Sequence, residues 1–100
     1  MSVVTEIAIF PLGKESGMGV YVSRVINRIK EFGCDYSLTA MGTIIETETL
    51  AEALEVIQAS YKVLESDADR VYCTATFDIT KTGSNRKDKK IASVRKHEDV

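Results

Sequence analysis

Two polar residues, Thr43 and Glu46, stand among apolar residues in the middle of the chain, next to Met41 and Gly42. A hydroxyl and a carboxylate in such a setting can pair with the donors and acceptors of a polar ligand. Side chains alternate along a regular strand, so Thr43 and Glu46 point to opposite faces. A single ligand therefore contacts both only through a bulge, a pocket around the strand end, or a second subunit. The alternative interpretation is that Glu46 is merely solvated and that Thr43 is present because threonine favours strands.

Three further groups of polar residues carry possible binding chemistry. The loop from Ser16 to Tyr21 precedes a predicted helix, whose free N–H groups favour a polar or anionic group, although a flexible loop with a capping serine fits equally. Residues 86–90 form a basic run that either contacts phosphate or is simply solvated. The third group is a row of hydrogen-bonding side chains on one face of a predicted strand, where a half-solvated face is the alternative: Tyr72, Thr74, Thr76 and Asp78.

The residue types of nucleophilic and metal sites are scarce. The chain has two cysteines, Cys34 and Cys73, without CxxC spacing, and one histidine, His97, near the end. We expect the cysteines, which lie in strand contexts, to be buried apolar residues. These residues predict neither a zinc site nor a Cys/His or Ser/His/Asp catalytic set.

The composition is that of a globular protein, with 44% hydrophobic and 28% charged residues among 100, and the length predicts one domain spanning residues 1–100. Residues 1–80 hold six basic against twelve acidic residues, whereas residues 81–100 hold seven against three. The acidic body argues against nucleic acid as the main partner. Neither a signal peptide nor a membrane-spanning apolar run is visible, which predicts a cytoplasmic protein.

Hydrophobic periodicity predicts four strands and two helices, in the order β-α-β-β-α-β. Gly33 is well placed to end the first helix, and Thr49 with Glu52 forms a capping box for the second. We expect the apolar stripe of the second helix to comprise Leu50, Ala53, Leu54, Ile57, Tyr61 and Leu64. The predicted strands are residues 3–10, 34–38, 42–47 and 70–80, and the predicted helices are residues 21–32 and 50 to about 66.

This order predicts a ferredoxin-like α+β sandwich, in which one four-stranded antiparallel sheet carries both helices on one face. Residues 81–100 are a basic C-terminal extension, with a mobile loop predicted over residues 81–90 and a short helix over residues 91–98. The other face of the sheet then has no cover from the same chain. We expect two subunits to close their open faces together and to leave small-molecule pockets between them.

Short motifs in a fixed order resemble the small thiamine-binding proteins of YkoF-like fold, a family that includes uncharacterised members. The resemblance covers nearly the whole chain. Its pieces are residues 11–13, a Ser/Gly loop leading to Tyr21 and Val22, residues 41–43 with Glu46, residues 70–71, Asp78, and residues 90–94. The first loop departs from the pattern, because Gly17, Met18 and Gly19 stand where family members often have several serines.

The resemblance implies a ferredoxin-like subunit that forms dimers and commonly tetramers. It implies binding of thiamine or its hydroxymethylpyrimidine part, with no cofactor and no catalysis. By position, the residues it assigns to the ligand are Ser16, Tyr21, Met41, Gly42, Thr43, Glu46, Asp78 and Ser93.

The main hypothesis is therefore a cytoplasmic homo-oligomer that binds thiamine or a related pyrimidine without chemistry. A second hypothesis is a small enzyme that uses Glu46 or Asp78 as a base at a subunit interface, for which a raised carboxyl pKa is the expected sign. A third is a structural or regulatory module whose open sheet face binds a protein.

Overall fold

The computed structural model describes residues 1–14 and 17–98. The predicted β-α-β-β-α-β order is confirmed, and a third helix follows it. The elements are β1 (Ser2–Pro11), α1 (Gly19–Phe32), β2 (Asp35–Leu38), β3 (Thr43–Thr47), α2 (Leu50–Glu65), β4 (Val71–Thr80) and α3 (Arg86–Lys96).

The four strands form one antiparallel sheet in the order β2-β3-β1-β4. The central strand β1 pairs with β3 on one side, where Val3 lies opposite Thr47, and with β4 on the other, where Pro11 lies opposite Val71. This is the predicted ferredoxin-like α+β arrangement, with β2 and β4 at the two edges of the sheet.

The core lies between the sheet and the helices α1 and α2. Odd-numbered residues of β1 and β3 point into it, because successive side chains of a strand alternate between faces. The buried cluster consists of Ile7, Ile9, Val25, Ile29, Ile45, Val56 and Leu64. Even-numbered residues, including Glu6 and Glu46, point to the opposite face, which we call the open face.

The predicted helix ends are confirmed. Gly33 has φ 72° and donates its N–H to the Lys30 carbonyl, which ends α1 in a left-handed residue. The Thr49 hydroxyl oxygen accepts from the Glu52 N–H at 3.1 Å, and that hydroxyl donates to the Glu52 carboxylate. This is the N-terminal half of the capping box, with the glutamate reaching the hydroxyl.

The predicted apolar stripe of α2 is wrong in part. Leu54 and Tyr61 are 50% and 38% exposed, whereas Val56 and Ser60 are buried. Ser60 is accommodated because its hydroxyl donates to the Val56 carbonyl at 2.8 Å, within the same helix. Because of this hydrogen bond, the polar Ser60 can lie on the buried face of α2. Apolar periodicity alone placed Ser60 outside that face.

The C-terminal region departs most from the expectation. Residues 86–90, which were predicted to be a loop, form the N-terminal part of α3. The helix packs against β1 and β3, so the open face has cover from its own chain, contrary to the prediction. The short helix predicted over residues 91–98 is confirmed over residues 91–96. Its N-terminal part was missed because residues 86–90 are all charged and show no apolar periodicity.

In β4 the register confirms that the predicted row of polar side chains shares one face of the strand. Cys73, Ala75 and Ile79 pair with buried core residues of β1 and so share the helix side. Thr76 and Asp78 pair with Glu6 and Val4 and lie on the open face. The expectation that both cysteines are buried is wrong for Cys73, which is exposed at this edge strand, while Cys34 is half-buried.

Candidate functional site

A pocket of about 440 Å³ lies on the helix side of the sheet, beneath the start of α1. We call it the α1 pocket. Its walls combine core side chains, the start of α1 and the β2–β3 turn, and its size lies in the range of small-molecule sites. It is lined by Ile7, Ala8, Ile9, Phe10, Met18, Gly19, Val22, Val25, Ile29, Leu38, Thr39, Ala40, Met41, Gly42 and Thr43.

The turn between β2 and β3 forms one wall of the α1 pocket, and Thr39 fixes its shape. The Thr39 hydroxyl accepts from the N–H groups of Met41 and Gly42 at 3.1 and 3.2 Å and donates to the Gly42 carbonyl. Gly42 passes so close to β1 that a Cβ atom there would lie 2.7 Å from the Ile7 carbonyl oxygen. The glycine therefore allows the close approach of backbone to backbone.

Three of the sequence-predicted ligand residues, Met41, Gly42 and Thr43, meet in the α1 pocket. Met41 is 81% exposed on the turn, whereas Thr43 is buried. Met18, which precedes the first residue of α1, lines the same pocket and was not predicted. Two methionines in an otherwise apolar wall suit an aromatic ring, since thioether sulfur makes favourable contacts with aromatic edges.

Glu46 does not join Thr43. The strand β3 pairs in continuous register with both neighbours, so Thr43 faces the helices and Glu46 faces the open side. The strand β3 therefore contains no bulge that would bring Thr43 and Glu46 to one ligand.

The Glu46 carboxylate holds the start of α3. It accepts from the N–H groups of Arg86 at 2.9 Å and Lys87 at 3.0 Å, and from the Ser2 hydroxyl at 2.5 Å. Burial by itself raises the pKa of the Glu46 carboxyl, but these three hydrogen bonds and the Arg86 charge together leave that pKa below its usual value. A carboxylate held ionised in this way is a poor general base.

Arg86 and Lys87 extend this contact into a network that joins the sheet to α3. The Arg86 guanidinium donates to the carbonyls of Ser2 and Asp78 at 2.8 and 2.6 Å, and pairs with the Asp78 carboxylate at 3.1 Å. The Lys87 ammonium is buried, and donates to Ser37 and Asp88. The Asp88 carboxylate and nearby Asp35 raise the pKa of Lys87 against the opposing effect of burial.

A second cavity, of about 710 Å³, lies between part of α3 and the open face, and we call it the α3 cleft. Asp78 and Ser93, both predicted from the resemblance, line it. Asp78 is partly engaged by Arg86, as described above. The lining residues are Val4, Glu6, Ser37, Thr39, Ile44, Thr76, Phe77, Asp78, Arg86, Lys87, Lys89, Lys90, Ile91 and Ser93.

The eight predicted ligand residues thus fall into separate groups. One group lines the α1 pocket, a second lines the α3 cleft, and Glu46 lies at the base of α3. Tyr21 is half-buried at the start of α1 and packs against the core, with the Arg24 guanidinium over its ring. Ser16 lies outside the described residues. Sequence reasoning missed Arg86 and Lys87 as structural residues, because a run of charges carries no signal of what it contacts.

The cysteines carry no sign of activation. Burial raises the pKa of both thiols, so that neither Cys34 nor Cys73 favours the nucleophilic thiolate form. Within residues 1–14 and 17–98, no group of three or more His, Cys, Asp or Glu residues is placed to hold a metal ion. Over the same residues, none of the helices has the length and apolar character needed to cross a membrane.

Comparison with known protein families gives a match that covers most of the chain. Residues 5–95 match the family model described as thiamine-binding protein. This span begins within β1 and ends within α3, and includes the whole lining of the α1 pocket and all of the α3 cleft lining except Val4.

Relatives match this chain over nearly their whole length, and solved structures share its fold. A UPF0045 protein of Methanothermobacter thermautotrophicus is 30% identical over 95 residues, which cover 93% of this chain and 96% of the relative. The crystal structure of the hypothetical protein MJ1052 of Methanocaldococcus jannaschii is 33% identical, with a TM-score of 0.80 over 94% of this chain and 96% of that one. A Thermotoga maritima protein, described as a candidate for thiamine biosynthesis or salvage, shares the fold at 20% identity, with a TM-score of 0.79 over 93% of this chain and 99% of that one.

Proposed function

The chain belongs to the thiamine-binding protein family, and we propose that it binds thiamine, or the hydroxymethylpyrimidine part of thiamine, in the α1 pocket without transforming it. The observation that carries this proposal is that Met18 and Gly19, at the start of α1, and Met41, Gly42 and Thr43, at the β2–β3 turn, line one cavity of about 440 Å³. That volume is sufficient for a ligand of two small rings.

The lining of the α1 pocket is suited to an aminopyrimidine ring. Apolar side chains such as Val22 and Ile29 would contact the ring faces, and the Thr43 hydroxyl, which can both donate and accept, would pair with a ring nitrogen or the amino group. Among the described residues, no side chain caps the first N–H groups of α1 after Met18, and in this proposal these groups pair with a ligand acceptor.

The charge of the protein is compatible with the thiazolium part of thiamine. Residues 1–80, which form the sheet and both core helices, contain twice as many acidic as basic residues. A cationic ligand is attracted to such a body over a distance set by the ionic strength. This attraction favours thiamine over an anionic pyrimidine.

Binding without catalysis is supported by the surroundings of Glu46 and Asp78, the two carboxylates that the enzyme hypothesis uses as bases. Glu46 is bonded to two N–H groups of α3 and its pKa is lowered, whereas a general base at neutral pH needs a raised one. The other candidate base, Asp78, is paired with Arg86. We therefore place the protein among ligand carriers, and propose that it works in the cytoplasm as a homo-oligomer.

The test is calorimetric titration of the purified protein with thiamine and, separately, with hydroxymethylpyrimidine. We expect saturable binding with micromolar or tighter affinity, about −8 kcal/mol or better. Thr43→Val should weaken it about five- to tenfold, because a hydrogen bond in a buried site contributes about 1 kcal/mol. Thr74→Val, on the exposed open face and outside both cavities, is the matched control.

Three results of this titration would count against the proposal. No heat and no thermal stabilisation with either compound would overturn thiamine binding. An effect of Ser93→Ala with none of Thr43→Val would move the ligand to the α3 cleft. Release of a modified thiamine during the titration, detected by mass spectrometry, would overturn binding without chemistry.

A further inference from the structure

The α3 cleft differs from the α1 pocket in the charge of its lining. The described residues that line the α1 pocket are all uncharged, whereas the lining of the α3 cleft includes two carboxylates, one guanidinium and three ammonium groups. Thr39 lines both cavities, and their linings otherwise differ. The cleft is therefore a separate cavity, with a chemistry that the proposed thiamine site does not have.

The sheet supplies one wall of the α3 cleft. Continuous pairing places one residue from each strand in a row across the open face: Ser37, Ile44, Glu6 and Thr76. Val4 lies two positions before Glu6 in β1, and so on the same face. All five residues line the cleft. This wall therefore combines apolar surface with two hydroxyls and a carboxylate.

The helix α3 supplies the opposite wall. Its backbone N–H groups are held by Glu46 only at Arg86 and Lys87, in its first turn. Residues 88–96 are all exposed, which shows that the rest of the helix is not packed down on the sheet. Ile91 lines the cleft and is 50% exposed, so an apolar group in the cleft would cover it and gain contact area.

Three charges of the cleft have no partner among the described residues. Arg86 and Lys87 are engaged by carboxylates, as described above. Glu6 on the sheet wall, and Lys89 and Lys90 on the helix wall, take part in no side-chain hydrogen bond or ion pair within residues 1–14 and 17–98. A carboxylate and two ammonium groups thus line one cavity from opposite walls without neutralising each other.

We propose that the α3 cleft is a second ligand site, for a small zwitterion with an amine at one end and a carboxylate or phosphate at the other. The amine pairs with Glu6, and the acidic group pairs with Lys89 and Lys90 and accepts from the Ser93 hydroxyl. The apolar body between the two ends lies against the sheet at Ile44. A ligand of one charge is less suitable, because an anion also meets Glu6 and a cation also meets the lysines.

The test uses probes that share one ring and differ in charge. The zwitterion para-(aminomethyl)benzoate is compared with benzoate and with benzylamine, each titrated into the full chain and followed by amide NMR. The zwitterion should bind about fivefold or more tightly than either single-charge probe, with shifts concentrated in residues that line the cleft. The phosphonate analogue of the zwitterion shows which acidic group the lysines prefer.

Two variants should act on different probes. Glu6→Gln should weaken the zwitterion and benzylamine but strengthen benzoate, because it removes an attraction in one case and a repulsion in the other. Lys90→Gln should weaken the zwitterion and benzoate but strengthen benzylamine. Each change is about two- to fivefold, as for exposed ion pairs. Glu55→Gln and Lys96→Gln remove the same charges from exposed positions outside the cleft, and should alter none of the affinities.

The outcomes that overturn the site are distinct from failure of thiamine binding. Equal affinity for all three probes, or no saturable binding of either zwitterion, would overturn it. So would a loss of zwitterion binding in Thr43→Val with none in Lys90→Gln, which would place the probe in the α1 pocket. Glu6 and Lys90 are exposed, so unchanged circular dichroism spectra should confirm that their variants fold. A negative calorimetric titration with thiamine leaves this site standing, because it shares no charged group with the α1 pocket.

Discussion

The carboxylate of Glu46, on the central part of the sheet, accepts the backbone N–H of Arg86 at 2.9 Å, in the first turn of the C-terminal helix. The two residues are 40 positions apart, yet the contact works like a local helix cap. It satisfies N–H groups that have no partner within α3, and it places a negative charge at the positive end of the helix dipole. Its neighbour Asn85 enters the helix from a left-handed conformation and makes no side-chain cap of its own. The sheet thus supplies the cap that the helix lacks.

Glu46→Gln should destabilise the protein and loosen α3. The amide keeps one acceptor but turns its NH₂ group toward a donor, so at least one of the three hydrogen bonds is lost. Loss of a helix cap costs about 1–2 kcal/mol. The measurement is the free energy of unfolding in urea, together with amide hydrogen exchange of residues 86–96. The matched control is Glu48→Gln at the exposed end of the same segment, and equal losses in the two variants would contradict a capping role.

Acid should weaken the same contact. The folded-state pKa of Glu46 lies below its value in the unfolded chain, so the unfolded state takes up the proton first as the pH falls. The stability from Glu46 is therefore complete above the unfolded pKa, about 4.3, and is lost as the pH falls through the folded one. Urea midpoints of the wild type and Glu46→Gln, followed from about pH 6 to about pH 3, should converge at the acid end. A constant difference between the two midpoints over this range would show that the stabilisation depends on the shape of the Glu46 side chain and not on its charge.

The helix α3 also shows where sequence reasoning stopped. The β-α-β-β-α-β order followed from apolar periodicity and from capping residues such as Gly33 and Thr49, because those signals are local. Residues 86–90 carry no apolar period, and their helix depends on Glu46, which is distant in sequence. The predicted core stripe of α2 left out Ser60 for a related reason. A hydrophobicity pattern treats serine as a polar surface residue, and does not include the hydrogen bond to Val56 that allows Ser60 to be buried.

Gly42→Ala should destabilise the turn and distort the α1 pocket. The added methyl group would lie 2.7 Å from the Ile7 carbonyl oxygen, which is a backbone atom and cannot rotate away, so a strand must move. Overpacking of this kind costs about 1–3 kcal/mol. Thermal and urea unfolding measure the loss. Gly17→Ala, whose Cβ would meet nothing within 4 Å, is the control and should unfold close to the wild type. A wild-type midpoint for Gly42→Ala would mean that the turn adapts without cost.

The ligand residues were only partly accessible from the sequence. Alternation along a strand correctly separated Thr43 from Glu46, and Met41, Gly42 and Thr43 do meet in one pocket. The sequence did not reveal that Glu46 is occupied by α3, because the contact is made by Arg86 and Lys87, which had been predicted to lie in a loop. Three residues of the motif thus line one pocket, and their role in binding a ligand stays a prediction.

Gly17→Ser should strengthen thiamine binding if the first loop contacts the ligand. A serine adds a hydroxyl to this loop, and the position has space for a side chain. One added hydrogen bond of about 1 kcal/mol corresponds to roughly a fivefold gain in affinity. Calorimetry on Gly17→Ser and Gly17→Ala separates the hydroxyl from the change in backbone freedom. Equal affinities in the two variants would show that the loop residue lies away from the ligand.

Thr5→Val should stabilise the protein, against the usual direction of core substitutions. Thr5 is fully buried in β1, and its hydroxyl oxygen has no hydrogen-bond partner among the described residues. Valine has nearly the same shape and removes the unpaired group, which is worth about 1 kcal/mol. Thr47→Val is the matched control, since the buried Thr47 hydroxyl donates to the Thr49 carbonyl at 2.9 Å. Urea unfolding should therefore give shifts of opposite sign, and a loss of stability in both variants would mean that the Thr5 hydroxyl has a partner, such as a buried water.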